Sequence, residues 1–190
     1  MEDLDLTPED LRKKILDVGS GSSDFARYAR EHNLGSEIYG IDETNWETLD
    51  GKIKIDKKHF AIAKAEAIPF DDNSFDLVVA HASVPGAYAH TVDRRFKKPP
   101  WQQIGDKVIE NLLEMLRVTK PGGEIRFSHE RRAPGSPWDE DKESLDMSLK
   151  AVLEDLKSED HVTVEEVFQK SFTRDNGISY NLYLIKIKKP

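Results

Sequence analysis

The segment 15–25 holds the residues best suited to bind a ligand. A short apolar run ends in Gly19-Ser20-Gly21, and a helical pattern follows directly. Glycines at such a strand–helix junction let a ligand approach the bare backbone, while the first N–H groups of the helix point toward it. Asp17, two residues before the first glycine, adds a carboxylate to this turn. The segment therefore predicts a ligand cradle at the end of the first strand.

The residue types around the turn exclude two common nucleotide motifs. In the dinucleotide fingerprint a third glycine would stand at position 24, where this chain has Asp24. Its negative charge would face a pyrophosphate, which disfavours NAD and FAD and with them a nicotinamide oxidoreductase. The glycine-rich phosphate loop that ends in Lys-Ser or Lys-Thr is also absent from the sequence.

Proton-transfer chemistry is predicted for three side chains that follow the apolar run 75–80. His81 comes directly after that run, and Tyr88 and His90 lie in the segment beyond it. Histidine titrates close to neutral pH, so His81 is the leading candidate for the base, and Tyr88 and His90, which are expected to line the substrate pocket, are the other predicted catalytic residues. An alternative of equal weight is that His81 only packs against a bound ligand or bonds a backbone carbonyl.

A second group of polar residues follows the run 124–128. His129 and Glu130 stand there and are expected to line the same pocket. No ligand spacing joins His81, His90 and His129, so a metal site is not predicted.

Alternating short apolar runs and longer helical patterns predict an α/β fold with a mostly parallel sheet. Strands are expected at 15–18, 37–41, 59–65, 75–80, 124–128, 162–172 and 180–188, and helices at 7–13, 24–31, 106–119 and 144–156. Asn176-Gly177 is a hairpin signal, so the last two strands should be antiparallel. Open sheets of this type bind ligands at the carboxyl ends of their strands, which would bring Asp17 and His81 together.

The composition predicts one cytoplasmic domain. The chain has 190 residues, and domains typically span roughly 100–200. Within it, 1–14 is a short lead-in and 84–105 a long irregular segment expected to border the site. Cysteine is absent, which excludes disulfide and thiol chemistry, and the net charge is −8. No apolar run approaches the about 18 residues of a membrane helix, and the acidic first residues do not look like a secretory signal.

Four segments in sequence order resemble the class I, Rossmann-like S-adenosylmethionine-dependent methyltransferases. They are Asp17-Val18-Gly19-Ser20-Gly21, Tyr39-Gly40-Ile41-Asp42, the stretch 65–76 and the stretch 112–123, and together they span most of the first 130 residues. The resemblance implies a seven-stranded, mostly parallel sheet with an antiparallel last strand and helices on both faces. It also implies S-adenosylmethionine as the cofactor.

The resemblance assigns each candidate residue to a part of the cofactor. Asp17, Gly19, Ser20 and Gly21 would hold the methionine end, Asp42 with Glu43 the ribose, Ala65 and Glu66 the adenine, and His81 would lie near the methyl group. The chain departs from the family pattern at two positions. Ser23 replaces the usual third glycine, and Lys64 replaces an acidic residue that often contacts adenine.

A small-molecule acceptor is the favoured substrate, because the net charge is negative and no RNA-binding appendage is visible. One alternative is an RNA or protein substrate held by the basic and aromatic segment 93–101, which Arg131-Arg132 would extend. Another is a catalytically silent relative that binds a partner or senses the cofactor. Ser23, Lys64 and the weak helical pattern after Asp42 are the features that support this alternative.

Overall fold

The computed structural model describes residues 2–22, 24–34, 37–44, 58–81, 83, 100–133, 140–158, 162–175 and 177–190. Its strands are β1 (Ile15–Val18), β2 (Ile38–Asp42), β3 (Phe60–Ile62), β4 (Phe75–Ala80), β5 (Thr119–Arg132), β6 (Thr163–Thr173) and β7 (Ser179–Lys188). Its helices are α1 (Asp24–Glu31), α2 (Pro100–Val118) and α3 (Glu140–Ser158). Two short 3-10 helices, Glu2–Leu4 and Asp10–Arg12, precede β1.

The seven strands form one sheet in the order β3-β2-β1-β4-β5-β7-β6. The pairs among β1 to β5 are all parallel, and β7 runs antiparallel to both of its neighbours. Among the described strands β7 alone is reversed, and the predicted fold class is confirmed. Strand order reverses between β1 and β4, and crevices at such a point are where open α/β sheets bind ligands.

The two faces of the sheet are covered differently. On one face α2 and α3 pack through Ile104, Val108 and Leu149, which are fully buried. On the other face α1 and the N-terminal segment 2–14 cover the sheet, and Leu4 and Leu11 are buried there. The N-terminal segment is thus part of the core, and its buried residues lie on the same face as α1.

Polar contacts fasten the N-terminal segment to β5. Thr7 and Asp10 exchange hydrogen bonds: Asp10 N donates to Thr7 Oγ1 at 3.2 Å, and Thr7 N donates to Asp10 Oδ2 at 3.0 Å. Arg126 of β5 donates to Asp10 Oδ2 at 3.0 Å and to the Asp5 carbonyl at 2.7 Å. Burial opposes ionisation of Asp10, but hydrogen bonds from Lys13, Thr7 and Arg126 outweigh it and hold its pKa well below the ordinary value. The predicted helix 7–13 is only the 3-10 turn Asp10–Arg12.

Other predicted boundaries were wrong as well: the strand predicted at 59–65 spans only Phe60–Ile62, and the helix predicted at 144–156 spans Glu140–Ser158. The helix expected from Asp106 begins at Pro100, because proline suits a first helical turn and Ile104 is buried against the core. Residues 100–105 of the predicted irregular segment are therefore helical. β5 begins at Thr119 and runs to Arg132, so Pro121-Gly122-Gly123 lies inside the strand, where the register with β4 shifts.

Candidate functional site

The glycine turn after β1 is tied to the end of β2. Gly19 and Gly21 have φ angles of +70° and +55°, a region that favours glycine. The N–H groups of Gly19 and Ser20 both donate to the Ile41 carbonyl at 2.9 Å. The turn thus holds the carboxyl ends of β1 and β2 together at the point where strand order reverses.

Asp42 fixes the same turn from the side of β2. Its Oδ2 accepts a hydrogen bond from Gly21 N at 2.9 Å, and its Oδ1 accepts one from Thr44 N at 2.8 Å. A carboxylate has about four acceptor positions, so two remain for ligand hydroxyls. The neighbouring Glu43 is exposed. Asp42 therefore has both a structural role and free capacity to bind.

Asp17 is a buried carboxyl whose charge is not balanced locally. Only 8% of the residue is exposed, and burial together with the negative charge of Asp42 raises its pKa to about 7. Within the part of the chain that the structure describes, no basic side chain forms an ion pair with it. A cationic ligand group beside Asp17 would stabilise its ionised form.

Ser83 is a site residue that the sequence did not predict. A Cβ at position 19 would lie 2.4 Å from Ser83 Cβ, so only glycine fits beneath this side chain. Ser83 Oγ also donates to the Val18 carbonyl at 2.9 Å. The contact joins residues that lie 65 positions apart in the chain, and no local sequence pattern indicates it.

His81 lies directly after β4 and faces two polar groups. Its Nδ1 is 3.1 Å from Ser128 Oγ on β5, and its Nε2 is 3.8 Å from Asp3 Oδ2. Burial lowers the pKa of His81, and the nearby Lys170 acts in the same direction, while Asp3 and Glu130 oppose them. The imidazole is therefore mostly neutral at pH 7 and able to accept a proton.

A cavity of about 550 Å³ opens beside Asp17 and His81. Its described lining consists of Asp3, Leu4, Leu6, Asp17, Phe25, Tyr28, His81 and Lys170. Apolar side chains come from the N-terminal segment and α1, and the Asp, His and Lys side chains come from the N-terminal segment, β1, the end of β4 and β6. Small-molecule pockets are commonly about 300–1,000 Å³, with few polar groups among apolar ones. The size and lining suit a small organic molecule.

The predicted adenine segment is held firmly but lies outside this cavity's described lining. Ala65 packs against the core, and Glu66 Oε1 is 3.5 Å from Lys107 Nζ on α2. Arg117 donates to the carbonyls of Ile68 and Phe70, both at 2.9 Å. These bonds fix the loop after β3 against α2, so its backbone is preformed.

The structure places His129 and Glu130 inside β5 and not after it. His129 pairs with Tyr183 of β7, is 2% exposed, and contacts Asp146 of α3 at 2.5 Å. It lies on the face covered by α2 and α3, so it does not line the cavity as expected. Glu130 accepts a hydrogen bond from Arg174 at 2.6 Å. Because β5 continues past position 128 and side chains alternate along a strand, His129 and Glu130 point to opposite faces of the sheet.

Several predicted residues lie outside the described structure. They are Tyr88, His90, Ser23 and, apart from the helical backbone of Pro100 and Trp101, the basic segment 93–101. Lys64 is exposed. Arg131 pairs with Glu166 of β6 at 2.6 Å, so this side chain is engaged within the sheet.

Two further findings concern the described ranges. No group of three or more His, Asp or Glu residues is placed there to hold a metal ion. None of the helices α1 to α3 is both long and apolar enough to cross a membrane.

Comparison with known proteins gives one family match. Residues 9–176 match the family described as a methyltransferase domain. This range includes the glycine turn, Asp42, His81 and six of the seven strands in full.

Curated relatives match part of the chain. A ubiquinone/menaquinone biosynthesis C-methyltransferase from a Geobacter species is 34% identical over 119 residues, which cover 59% of this chain and 43% of the relative. A malonyl-[acyl-carrier protein] O-methyltransferase from Salmonella typhimurium is 30% identical over 114 residues, which cover 60% of this chain and 38% of that protein. The chain thus spans well under half the length of these relatives.

The fold is shared with solved structures over nearly its whole length. A SAM-dependent methyltransferase from Methanosarcina mazei aligns with a TM-score of 0.59 and 20% identity, covering 98% of this chain and 99% of the other.

Proposed function

The chain belongs to the methyltransferase domain family, and from that premise we propose that it transfers a methyl group from S-adenosylmethionine to a small molecule. The observation that carries the proposal is the arrangement of Asp17, the glycine turn and Asp42 at the adjoining ends of β1 and β2. The names of the relatives support the reaction class, and the shared fold of the SAM-dependent Methanosarcina methyltransferase is consistent with the cofactor.

The charges of the site fit this cofactor. S-adenosylmethionine carries an ammonium and a sulfonium, and Asp17 is a buried carboxyl without a basic partner in the described region. A cation placed beside it would offset both causes of its raised pKa, namely burial and the charge of Asp42. Asp42 has acceptor positions left for ribose hydroxyls, and Ala65 and Glu66 are assigned to the adenine. Gly19, Ser20 and Gly21 would border the methionine end.

The cofactor, when bound, supplies an electrophilic methyl group. The chain's own residues position the two reactants. The glycine turn and Asp42 hold the cofactor, and the neighbouring cavity holds the methyl acceptor. Phe25 and Tyr28 of α1 line that cavity and reduce the water around the acceptor. When the acceptor atom attacks the methyl group in line, the protein needs to supply a base only if the acceptor must lose a proton.

His81 is the group proposed to take that proton. When its Nδ1 donates to Ser128 Oγ, the lone pair of Nε2 faces the side of the cavity where Asp3 lies. Burial keeps the pKa of His81 below its ordinary value, so the base is unprotonated at neutral pH. Tyr88 and His90 stay predictions as further catalytic residues, and a cytoplasmic location stays a prediction from composition.

Calorimetric titration with S-adenosylmethionine and S-adenosylhomocysteine tests the proposal, with NAD as the control ligand. We expect micromolar binding of the first two and none of NAD. Asp42→Ala should abolish binding, while the exposed Asp155→Ala on α3 should not change it. Binding by neither S-adenosyl compound would contradict the proposal. If binding occurs, labelled methyl transfer to a panel of small molecules follows.

The same titration separates two alternatives. A catalytically silent binding protein is favoured by the engagement of both Asp42 oxygens with backbone N–H groups, which a purely structural aspartate would also show. It predicts cofactor binding without transfer, or no binding. An RNA substrate predicts salt-dependent RNA affinity that falls when Arg94 and Arg95 become alanine.

A further inference from the structure

We propose that the cavity takes an acceptor with an apolar body and one anionic group, a carboxylate or a phosphate, held by Lys170 beside His81. In the free protein the carboxylate of Asp3 occupies the place of that anion. The inference rests on the proposed function, because it names the substrate class of the same site.

The arrangement of three side chains carries the inference. Asp3 Oδ1 lies 2.6 Å from Lys170 Nζ, and Asp3 Oδ2 lies 3.8 Å from His81 Nε2. One Asp3 oxygen thus pairs closely with Lys170 of β6, while the other lies near the His81 ring without a hydrogen bond to it, and all three residues line the cavity. A ligand carboxylate or phosphate in the place of the Asp3 carboxylate would receive the same charge-assisted hydrogen bond from Lys170.

A bulge in β6 directs Lys170 toward this place. Phe168 pairs with Tyr183, but Lys170 pairs with Leu182, so one extra residue stands between them. Without it, Lys170 would share the face of Phe168, because side chains alternate along a strand. The bulge moves Lys170 to the face of Leu184, where the N-terminal segment packs. Bulges that re-aim a side chain are common next to functional sites.

The Asp3–Lys170 pair is weak enough to exchange. The two side chains are 28% and 52% exposed, and ion pairs as exposed as these contribute little to stability. Asp3 sits in a single 3-10 turn, Glu2–Leu4. When a ligand anion replaces its carboxylate, the number of ion pairs is unchanged and Asp3 returns to water.

The rest of the lining defines the body of the acceptor. Leu4, Leu6, Phe25 and Tyr28 form the apolar side of the cavity. An aromatic or aliphatic body would lie against them, with its anionic group toward Lys170. This also places the anion beside the proposed base, so the atom to be methylated lies close to the charged end.

Benzoate, phenyl phosphate and neutral benzamide are suitable probes, titrated by calorimetry against the full chain. We expect the two anions to bind and benzamide to bind at least about tenfold more weakly, since a charge-assisted hydrogen bond is lost. The ratio of benzoate to phenyl phosphate affinity shows which anion the site prefers. Equal binding of benzamide, or no binding of either anion, would overturn the inference.

Two variants and a matched control sharpen the test. Asp3→Asn removes the competing carboxylate and should tighten benzoate binding by about fivefold, the value of an exposed ion pair. Lys170→Gln should weaken binding by about tenfold or more. Lys186→Gln breaks a comparable ion pair, to Asp5 at 2.8 Å, outside the cavity lining, and should change nothing. If Asp3→Asn does not tighten binding, the displacement part of the inference is wrong.

A parallel titration with S-adenosylmethionine keeps the two proposals apart. Anion binding without cofactor binding would end the proposed methyl transfer and leave the anion site in place. Cofactor binding with no preference for anions would overturn the anion site and leave the proposed methyl transfer in place.

Discussion

The carboxyl of Asp17 and the carboxylate of Asp42 stand at the ends of neighbouring strands, and the charge of Asp42 adds to burial in raising the pKa of Asp17 to about 7. Between about pH 4 and pH 7 Asp17 is therefore protonated in the folded chain and ionised in the unfolded chain. The contribution of Asp17 to stability is present below its unfolded pKa and is lost as pH rises through 7. Above pH 7 the ligand-free site destabilises the fold.

Asp17→Asn is expected to raise the free energy of unfolding at pH 8 by on the order of 2–4 kcal/mol, because a buried charge is removed. The difference from the unsubstituted chain should vanish below pH 4. The same change should weaken S-adenosylmethionine binding by about tenfold or more, since a charged partner is lost. Urea denaturation across pH and calorimetry check the two effects. The exposed Asp71→Asn serves as control, and a variant less stable at pH 8 would contradict the assigned pKa.

Gly19→Ala is expected to lower the free energy of unfolding by at least about 1–3 kcal/mol, because a side chain is added at positive φ. The new Cβ would also collide with Ser83. Ser83→Gly removes the obstacle, so the double variant should recover part of the loss, with a coupling energy of about 1 kcal/mol or more. Urea denaturation of the four proteins measures the cycle. If the effects of Gly19→Ala and Ser83→Gly on the free energy of unfolding are strictly additive, Ser83 does not contact the added Cβ at position 19.

His81→Gln is expected to reduce kcat by about 100-fold or more if the acceptor must lose a proton. Because the pKa of His81 is lowered, the acidic limb of the pH profile of kcat/KM should fall below pH 6.5 and disappear in the variant. Ser128→Ala should lower kcat with little change in KM, since Ser128 orients the ring. An unaltered pH profile in His81→Gln would assign the histidine a packing role.

Asp10→Asn is expected to destabilise the fold by about 3 kcal/mol at pH 7, because it leaves buried Arg126 with one carboxylate fewer. The pKa of Asp10 is lowered, so its stabilising contribution is present above pH 3.8 and is lost as pH falls further. The difference between variant and parent should therefore shrink in acid. Thermal denaturation at pH 7 and in acid measures this. Glu9→Gln, whose ion pair is exposed, should change stability by less than about 0.5 kcal/mol.

The sequence predicted those parts of the fold that local patterns determine. β1, β4 and α1 have the expected bounds, because each is a clear apolar run or helical pattern between turn residues. The glycine turn was predicted from residue types and spacing, and Asp42 from the resemblance to the methyltransferase family. The role of Asp42 in holding Gly21 was not, because it depends on a hydrogen bond across two strands.

The missed features depend on distant contacts. The extension of β5 past Ser128 is fixed by pairing with β7, which no pattern near His129 reveals. Asp3 and Lys170 form one side of the cavity, and Lys170 points there only because of the extra residue that shifts the register of β6. The lead-in 1–14 had no predicted role in the site for the same reason.

The contacts that close this side of the cavity join residues that are far apart in the sequence. Asp3 and Asp5 precede β1, yet their partners Lys170 and Lys186 lie in β6 and β7, 167 and 181 positions later in the chain. Contacts between residues this far apart form slowly, so the pairs with Lys170 and Lys186 form only after β6 and β7 have joined the sheet, whereas the Asp10–Arg126 pair needs only β5. A folding intermediate with β1 to β5 paired would already carry the glycine turn and Asp42. It would acquire the closed cavity only when the hairpin of β6 and β7 joins the sheet.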